Sequence, residues 1–420
     1  MKLFYRFFIF LYPNIAKLIS GNNAKAALWV QGRKNILEKI EQAMQANTAS
    51  VIWLHCSSLG EFEQGRPIIE KIKTENKNQK VLLTFFSPSG YEVRKNYEGA
   101  DWVFYLPMDG ANNAKKFISI VKPSLVIFVK YEFWFYYLNE IKKQNIPLIL
   151  VSGVFRKNQL FFKWYGNFYK NMLHCFTHLF VQTEESAKLL ASIGFTENVT
   201  VAGDTRFDRV IEIANNFKPI EIIEQFIGNN KVIIAGSTWT EDDEELEHYI
   251  NTNSEIKFLV APHDVQQERI NECLQLYKNA VLFSSYKNSP LTNYNCLIID
   301  NVGMLSKLYK YATICYVGGA FGGDGVHNVL EAAVYNKPVV FGPEYEKYIE
   351  AAELIDTEGA FTIDSALELE KIFNDLLNDE KLYNETKANA GNYVKSKSGA
   401  AEKIIKFIYE NRLLTIVSNN

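Results

Sequence analysis

Residues 317–333 read VGGAFGGDGVHNVLEAA, and this stretch narrows the choice of fold more than any other part of the chain. Its five glycines separate a strand-like apolar run from a helix-like run, so the backbone between them can approach a ligand closely. A loop of this kind at the start of a helix is suited to holding a phosphate. Glu331 follows one helical turn after Asn328, where its carboxylate can accept hydrogen bonds from ribose hydroxyls. The G-x-G-x-x-G dinucleotide fingerprint is absent and the loop comes late in the chain, which disfavours a hydride-transferring enzyme.

Short strand-like apolar runs recur on both sides of this loop, separated by helix-like segments. Seven lie in the first half, at 51–55, 81–86, 102–106, 125–129, 147–151, 178–182 and 199–202, and seven in the second half, at 231–235, 257–261, 280–284, 296–300, 313–317, 338–341 and 360–363. Strands that alternate with helices form parallel sheets with crossover helices. The sequence therefore predicts an α/β protein with two Rossmann-like, doubly wound domains facing a central cleft, the GT-B arrangement of sugar-nucleotide transferases. We expect a basic apolar membrane-association segment at 1–36, an acceptor-binding domain at 37–206 and a donor-binding domain at 207–420.

The composition disfavours several other classes of protein. The 420 residues include 45 Lys plus Arg and 48 Asp plus Glu, a formal net charge of -3, whereas a dedicated nucleic-acid binder would be strongly basic. The five cysteines are scattered and form no C-x-x-C pair, which argues against disulfides and thiolate zinc sites. We interpret the acidic run at 241–245 as the solvated start of a helix rather than a metal site. We therefore expect no metal, no resident cofactor and no nucleic-acid partner.

The first 37 residues depart from this average, because they contain six basic residues and no acidic one. The apolar run at 7–12 is far shorter than the ~20 residues needed to span a bilayer. We favour an interfacial anchor whose basic residues meet anionic lipid while its apolar side chains enter the headgroup region. The side chains expected in the lipid are Phe4, Phe7, Phe8, Leu11 and Tyr12. A cleaved signal peptide and an ordinary helix packed on the body of the protein are the alternatives.

Ligands of doubly wound sheets bind beyond the carboxyl ends of the strands, so polar residues directly after the apolar runs are candidate site residues. After the first run, Gly60 permits a tight turn and Glu61 lies at a helix start, where a carboxylate is stabilised as the anion. Glu61 is either a general base or a helix cap. After the fourth run, Lys130 and Glu132 either form a structural ion pair or line a cleft. Charges at the end of a buried strand are costly unless they are paired or used by a ligand site. Of these two alternatives we favour the cleft.

The linker and the second half add further candidates. Arg206 and Asp208 are either site residues or a salt bridge that fixes the linker. The turn at 236–238 offers hydroxyls and amides to a phosphate, although an ordinary helix cap explains this short segment better by itself. Gly303 follows another strand run and would let the backbone approach a ligand.

The order and spacing of these motifs together resemble the 3-deoxy-D-manno-octulosonic acid (Kdo) transferases of lipid A assembly, glycosyltransferase family 30. The resemblance covers nearly the whole chain. It is carried by the basic apolar N-terminus and by residues 53–61, 132–134, 203–208, 235–238, 318–331 and 341–343. It implies an inverting, metal-independent GT-B enzyme that moves Kdo from CMP-Kdo to a lipid A precursor. The implied location is the cytoplasmic face of the bacterial inner membrane, in peripheral or monotopic association with anionic lipid.

The resemblance also implies roles for individual residues. Glu61 matches the family's proton acceptor, and Arg206 stands where the family has a lysine assigned to transition-state stabilisation. Lys130 replaces the first Glu of the family's E-x-E-x-W, which reverses the charge there. The candidate CMP-Kdo-binding residues are Ser237, Pro262, His263, Val302, Gly303, Met304, Gly318, Gly319, Gly325, Asn328, Val329, Leu330 and Glu331. The acceptor-side candidates are Ser58, Gly60, Glu132, Trp134 and Arg156. Departures from the family pattern occur after Pro262, where Arg and His are usual, and at Met304, where Glu is usual.

Two other functions fit the same fold. A GT-B transferase or epimerase that uses a UDP-sugar is expected to carry more phosphate-binding charge around the glycine-rich loop. A non-catalytic, membrane-docked binding module would keep the fold without turnover. The presence of Glu61 and of a complete donor loop disfavours that module.

Overall fold

The computed structural model describes residues 1–288, 293–323 and 325–414. The chain divides into two compact units, Met1–Arg209 together with the chain from Ser398, and Val210–Lys397. Each unit is built on its own seven-stranded parallel sheet. The strands of the first sheet are β1 Val51–Cys56, β2 Lys80–Phe85, β3 Trp102–Tyr105, β4 Pro123–Val129, β5 Leu148–Gly153, β6 His178–Val181 and β7 Val199–Val201. The strands of the second sheet are β8 Val232–Thr238, β9 Lys257–Pro262, β10 Ala280–Leu282, β11 Cys296–Ile298, β12 Ile314–Val317, β13 Val339–Phe341 and β14 Ala360–Thr362.

Helices connect these strands. Those up to the end of β7 are α1 Lys2–Ile19, α2 Ala24–Gly32, α3 Ile36–Met44, α4 Leu59–Glu75, α5 Pro88–Arg94, α6 Ala111–Val121, α7 Phe135–Lys143, α8 Asn167–Leu173 and α9 Glu184–Ser192. The later helices are α10 Thr205–Asn215, α11 Glu221–Ile227, α12 Thr240–Thr252, α13 Gln267–Leu276, α14 Phe283–Asn288, α15 Leu305–Leu308, α16 Leu330–Ala333, α17 Ile349–Asp356, α18 Ala366–Asn378, α19 Glu380–Ser396 and α20 Ala400–Glu410. Short 3-10 helices cover Leu160–Phe162 and Tyr309–Tyr311.

β1 shows why the apolar runs form sheets covered on both faces. All six of its residues are buried. Trp53 lies in the core on one face of the sheet, whereas Ile52 and Leu54 lie in the core on the other face. A parallel strand buried on both faces is a nearly continuous apolar run in the sequence. Every predicted run overlaps one of the observed strands, so the predicted α/β class is confirmed.

The strand order decides where each unit forms a site. The first sheet runs β3-β2-β1-β4-β5-β6-β7, and the second runs β10-β11-β9-β8-β12-β13-β14. In each sheet the first strands of the chain lie on one side of its first strand and the later ones on the other side, and in the second sheet β11 is inserted between β9 and the edge strand β10. This switch occurs between β1 and β4 in the first sheet and between β8 and β12 in the second. Ligands bind beyond the carboxyl ends of the strands at such switch points.

The C-terminal helix is placed differently from the prediction. We expected residues 207–420 to form one donor-binding domain, but α20 belongs to the first unit. Its Ile404 side chain is fully buried in a core built on the first sheet. The Asp208 carboxylate accepts a hydrogen bond of 2.7 Å from the backbone N–H of Ala401 and so caps the start of α20. The apolar face of α20 is covered by the first sheet, and this burial explains why the helix joins that unit.

The N-terminal segment is a helix, α1, with one packed side and one exposed side. No helix in the described part of the chain is long and apolar enough to cross a membrane. The Tyr5 hydroxyl donates a 2.6 Å hydrogen bond to Asp109 Oδ2, and the Tyr12 ring lies 5.2 Å from the Trp29 ring. Tyr12, expected in the lipid, is therefore packed on the protein instead. The exposed side carries Leu3, Phe4, Phe7, Phe8, Phe10, Leu11, Ile15 and Leu18.

Candidate functional site

Glu61 lies just beyond β1, in the first turn of α4. Only 9% of it is exposed, and its Oε2 accepts a hydrogen bond from the backbone N–H of Ser57. Ser58 is the N-cap, and its Oγ accepts a 3.4 Å hydrogen bond from the Glu61 N–H. Glu61 therefore caps the start of α4 through its carboxylate. A capping carboxylate can also act as a base, so the two alternatives drawn from the sequence are compatible.

The electrostatic environment of Glu61 differs from the expectation. Burial raises the pKa of Glu61 to about 8, and the nearby Glu132 carboxylate adds to the rise. The backbone N–H of Ser57 and the Lys130 charge act in the opposite direction. We expected the helix start to hold Glu61 as an anion, and this is wrong because desolvation outweighs the amide dipoles. A carboxyl whose pKa lies near neutrality is better matched to general-base catalysis than an ordinary surface glutamate.

Gly60 does not have the role expected from the sequence. It lies in the first turn of α4, and a Cβ placed there would meet no described atom within 4 Å. The tight turn predicted at Gly60 is therefore a regular helix start that does not require glycine.

The segment after β4 lies beside the start of α4, because β1 and β4 are hydrogen-bonded neighbours. The buried Glu132 accepts a 2.5 Å hydrogen bond at Oε2 from Trp134 Nε1. The same oxygen lies 2.7 Å from Nε2 of His55, which is fully buried at the end of β1. Nδ1 of His55 lies 2.9 Å from Thr84 Oγ1. Glu132 therefore has a buried hydrogen-bonding partner in His55, a residue to which sequence reasoning gave no role.

Other charged candidates cluster at the same edge of the first sheet. Lys130 has a left-handed backbone, with φ of 64°, which is uncommon for a residue with a side chain. Its charge lowers the pKa of Glu61. Burial raises the pKa of Tyr131, the charge of Arg156 lowers it, and the Glu61 carboxyl raises it. The Lys130 Nζ atom lies 5.8 Å from the centre of the Tyr131 ring. Lys130, Arg156 and Glu61 therefore act electrostatically on one another or on Tyr131 at this edge of the sheet.

Arg206 lies at the start of α10 and pairs with Asp204, with 2.7 Å between Nη2 and Oδ2. The preceding residue, Thr205, donates a 2.5 Å hydrogen bond from Oγ1 to the backbone oxygen of Gln64 in α4. This contact fixes Arg206 beside the helix that carries Glu61. Asp208 caps α20, because its two carboxylate oxygens accept hydrogen bonds from the backbone N–H groups of Gly399 and Ala401.

In the second unit, the acidic run after β8 begins a helix, α12, as expected, but it is only partly solvated. Asp242 and Asp243 are both fully buried. The Asp242 carboxylate accepts hydrogen bonds of 2.8 Å from the backbone N–H groups of Trp239 and Gly319. It also accepts one of 2.7 Å from the Tyr316 hydroxyl. Asp242 therefore ties the end of β8 to the end of β12, at the switch point of the second sheet.

The first backbone N–H groups of the glycine-rich loop make hydrogen bonds within the protein. The Gly318 N–H donates a 2.9 Å hydrogen bond to the backbone oxygen of Gly236, and the Gly319 N–H binds Asp242. A Cβ on Gly318 would lie 2.6 Å from the backbone oxygen of Ser237, which itself has a φ of 56° in a bulge of β8. The glycine is therefore needed for close packing of β8 against β12. We expected these amides to cradle a phosphate, and that expectation is wrong for Gly318 and Gly319.

Three rings stack at this edge of the second sheet. His263 directly follows Pro262, the last residue of β9, and its ring lies 4.7 Å from Trp239 and 4.5 Å from His327. Trp239 Nε1 donates a 3.1 Å hydrogen bond to His327 Nε2. Sequence reasoning selected His263 but gave no site role to Trp239. The available signal was that Trp239 directly follows a strand of the same sheet.

The resemblance assigns CMP binding to residues 328–331, and this segment begins two residues before α16. Asn328 Nδ2 donates a 3.0 Å hydrogen bond to Glu331 Oε1. α16 starts only at Leu330, so His327 and Asn328 precede the helix rather than lying in its first turn. Val329 and Leu330 are fully buried, which leaves Asn328 and Glu331 as the polar candidates of this segment.

The remaining donor-side candidates lie in loops. Val302 is 85% exposed, Gly303 has a φ of 96°, and Met304 precedes α15. Gly325 has a φ of 87°, and its neighbour Asp324 lies outside the described residues. Across the described ranges, no group of three or more His, Cys, Asp or Glu is arranged to hold a metal ion.

A family model matches most of the first unit, and several known proteins align with most of the chain. Residues 33–209 match the family model described as 3-deoxy-D-manno-octulosonic-acid transferase (kdotransferase). A 3-deoxy-D-manno-octulosonic acid transferase of Aquifex aeolicus is 29% identical over 343 residues, which cover 80% of this chain and 88% of that protein. A bifunctional glycosyltransferase/methyltransferase of Fusobacterium nucleatum is 27% identical over 377 residues. That match covers 87% of this chain but only 56% of the relative, so the chain corresponds to little more than half of that protein.

Among solved structures, the UDP-GlcNAc 2-epimerase from Neisseria meningitidis bound to UDP-GlcNAc aligns with a TM-score of 0.62 at 17% identity. The alignment covers 86% of this chain and 100% of the epimerase. At this identity the likeness shows the fold alone, and it confirms the predicted GT-B class. The family match over residues 33–209 and the relatives at 26–29% identity over most of the chain support a 3-deoxy-D-manno-octulosonic acid transferase.

Proposed function

We propose that this protein is an inverting glycosyltransferase that moves Kdo from CMP-Kdo to a lipid A precursor of the lipid IVA type in lipopolysaccharide core biosynthesis. The match of residues 33–209 to the Kdo transferase model and the similarity to the Aquifex aeolicus transferase support the transfer of Kdo. The observation that carries the chemistry is the buried Glu61 carboxyl, whose pKa is raised to about 8 at the switch point of the first sheet. The experiment that tests the proposal is a transfer assay in which mass spectrometry follows the gain of Kdo by the acceptor.

In the proposed reaction, Glu61 takes the proton from a primary hydroxyl of the acylated glucosamine disaccharide. The hydroxyl oxygen attacks the anomeric C2 of Kdo in line, a new C–O bond forms, and the bond from C2 to the phosphate oxygen of CMP breaks. Glu132 makes Glu61 a stronger base by raising its pKa. His55 and Trp134 hold Glu132 in place through the contacts at its Oε2. These three residues therefore support the base without touching the reacting atoms.

The leaving group in this reaction is a phosphate monoester of cytidine. We assign stabilisation of its charge to Arg206, whose guanidinium is oriented by Asp204. Asn328 and Glu331, which are hydrogen-bonded to each other, are the proposed ribose contacts. A fixed cation that meets one phosphate group can replace the divalent metal that diphosphate donors often need, so we propose that the reaction requires none.

We further propose that the protein works at the cytoplasmic face of the inner membrane, docked through α1. The exposed side of this helix carries large apolar residues, such as Phe7 at 60% exposure and Phe10 at 70%. The exposed Lys17 lies in the last turn of the same helix. An exposed apolar face with flanking cations is the pattern of a helix that lies in the membrane interface.

Replacing both Phe7 and Phe10 with glutamate should lower binding to vesicles of anionic phospholipid by about tenfold or more, because two apolar contacts are lost and two repelled charges are added. Vesicle flotation measures the bound fraction. The thermal unfolding temperature should stay unchanged, since both side chains are exposed. Leu367→Glu, at a leucine that is 79% exposed in the second unit, is the matched control and should float like the unaltered protein. Equal flotation of the double variant would show that α1 is not the docking element.

A further inference from the structure

An apolar pocket lies in the first unit next to Trp134. Its volume is about 410 Å³, which falls in the range of ~300–1,000 Å³ typical of small-molecule sites. Its walls are mainly aromatic, and they include Tyr5, Phe8, Tyr131, Phe133, Trp134 and Phe161. The proposed transfer reaction assigns no function to this pocket.

A hydrogen bond links the wall of the pocket to the residues around the candidate base, Glu61. Trp134 lines the pocket, and its Nε1 donates a 2.5 Å hydrogen bond to Glu132. Glu132 is the carboxylate that raises the pKa of Glu61. Burial raises the pKa of Tyr131, which also lines the pocket, Arg156 lowers it, and the Glu61 carboxyl raises it. The wall of the pocket is therefore connected, through the hydrogen bond between Trp134 and Glu132, to the residues that surround Glu61.

Another part of the wall belongs to α1. Tyr5 and Phe8 both line the pocket. Tyr5 is anchored by its hydrogen bond to Asp109, whereas Phe8 is 46% exposed and belongs to the exposed apolar side of the helix. The pocket is therefore continuous with the surface that we propose to lie in the membrane interface.

The chemistry of the lining limits what the pocket can hold. None of the ten residues that line it, all of which the structure describes, is charged. The polar side chains without an aromatic ring are those of Asn158 and Gln159. Burying a phosphate against such walls would be costly, because no cation compensates the lost hydration. Hydrocarbon gains from the same walls, since each methylene removed from water strengthens binding roughly fourfold.

We propose that this pocket receives one acyl chain of the lipid acceptor and thereby sets the position at which the acceptor hydroxyl meets Glu61. The proposal rests on the proposed function, because it assigns a subsite to the same acceptor. In this arrangement the chain enters past Phe8, on the exposed side of α1, and the sugar lies at the Trp134 end of the pocket. The residues of the pocket are positioning residues, since they touch the acyl chain and not the reacting atoms.

The test fills the pocket and measures kinetics with acceptors of different acyl length. Leu160→Trp places a larger side chain in the lining, and Leu367→Trp, at an exposed leucine of the second unit, is the matched control. In the unaltered protein, KM should fall as the acyl chain lengthens. Leu160→Trp should raise KM for the long-chain acceptor at least tenfold, keep kcat within about twofold and remove the dependence on length. With a fully deacylated disaccharide the two variants and the unaltered protein should have the same KM.

A binding measurement separates this inference from catalysis. A fatty acid brominated along its chain quenches tryptophan fluorescence on close contact, so it should quench Trp134 in the unaltered protein. Trp134→Phe should lose that part of the quenching, and an unbrominated fatty acid should compete it away. Circular dichroism confirms that each variant is folded.

The outcomes distinguish the two proposals. If the unaltered protein transfers Kdo to no acceptor, the proposed function fails. If it transfers Kdo and Leu160→Trp keeps the normal dependence of KM on acyl length, the acyl pocket is wrong while the function stands. Quenching that is equal in the unaltered protein and in Trp134→Phe would likewise overturn the pocket assignment.

Discussion

Replacing Glu61 with glutamine should lower kcat for Kdo transfer by about 10²- to 10⁴-fold, the usual contribution of a positioned general base. Glutamine keeps the length of the side chain and can still accept the hydrogen bond from Ser57, so the start of α4 should remain intact. It cannot accept the proton of the acceptor hydroxyl. Steady-state transfer from CMP-Kdo to a tetraacylated precursor measures the effect, and KM should change little.

Glu63→Gln is the matched control for this change, because it makes the same substitution two residues later in α4. Glu63 is paired with Arg94 and is not part of the proposed chemistry. Its kcat should stay within a fewfold of the unaltered protein. Near-normal transfer by Glu61→Gln would remove Glu61 from the role of base.

The pH profile follows from the same carboxyl. The active form of a base is the ionised one, and the pKa of Glu61 is raised to about 8 by burial and by Glu132. The rate should therefore rise with pH and level off above about 8, falling roughly tenfold per unit below that value. Glu61→Gln should lose this rising limb. A flat profile for the unaltered protein between pH 6 and 9 would contradict the assignment.

Replacing Asp242 with alanine should have the largest effect on stability. Three buried donors lose their acceptor, the N–H groups of Trp239 and Gly319 and the hydroxyl of Tyr316. Each buried donor left without a partner costs about 1–3 kcal/mol. We expect the second unit to lose about 3–5 kcal/mol and CMP-Kdo binding to fall with it. Thermal unfolding followed by calorimetry should show the transition of this unit at a lower temperature.

Glu244→Ala is the control for this change, since Glu244 belongs to the same acidic run but is exposed. Its effect should stay within about 0.5 kcal/mol. Asp242→Asn should lie between the two, because an amide keeps one acceptor oxygen. Unaltered unfolding of Asp242→Ala would show that the carboxylate does not hold the ends of β8 and β12 together.

Local patterns predicted the strands and the edge at which the site forms. β1 can be recognised in the sequence because a strand buried on both faces is a nearly continuous apolar run. Glu61 can be recognised as a candidate because it follows that run closely, at the start of α4. The sheet against which α20 packs could not be predicted in this way. The apolar face of this helix requires a cover, but the pattern does not say which sheet provides it.

Burial produced by distant contacts explains the other failures. Five consecutive acidic residues are typical of a solvated helix start, yet Asp242 is buried because Tyr316 in β12 and Gly319 in the loop after it donate hydrogen bonds to its carboxylate. The pKa of Glu61 likewise depends on Glu132, which belongs to another strand end. His55 gave no signal, because its partner Glu132 is brought to it only when β1 pairs with β4.

The transfer reaction itself is the most direct test of the central claim. The purified full-length protein is incubated with CMP-Kdo and a tetraacylated lipid A precursor, and the acceptor is analysed by mass spectrometry. The proposal predicts that the acceptor gains the mass of one or more Kdo residues, that CMP is released, and that a UDP-sugar gives no product. An acceptor whose mass stays unchanged with CMP-Kdo, or that is modified from a UDP-sugar instead, would contradict it.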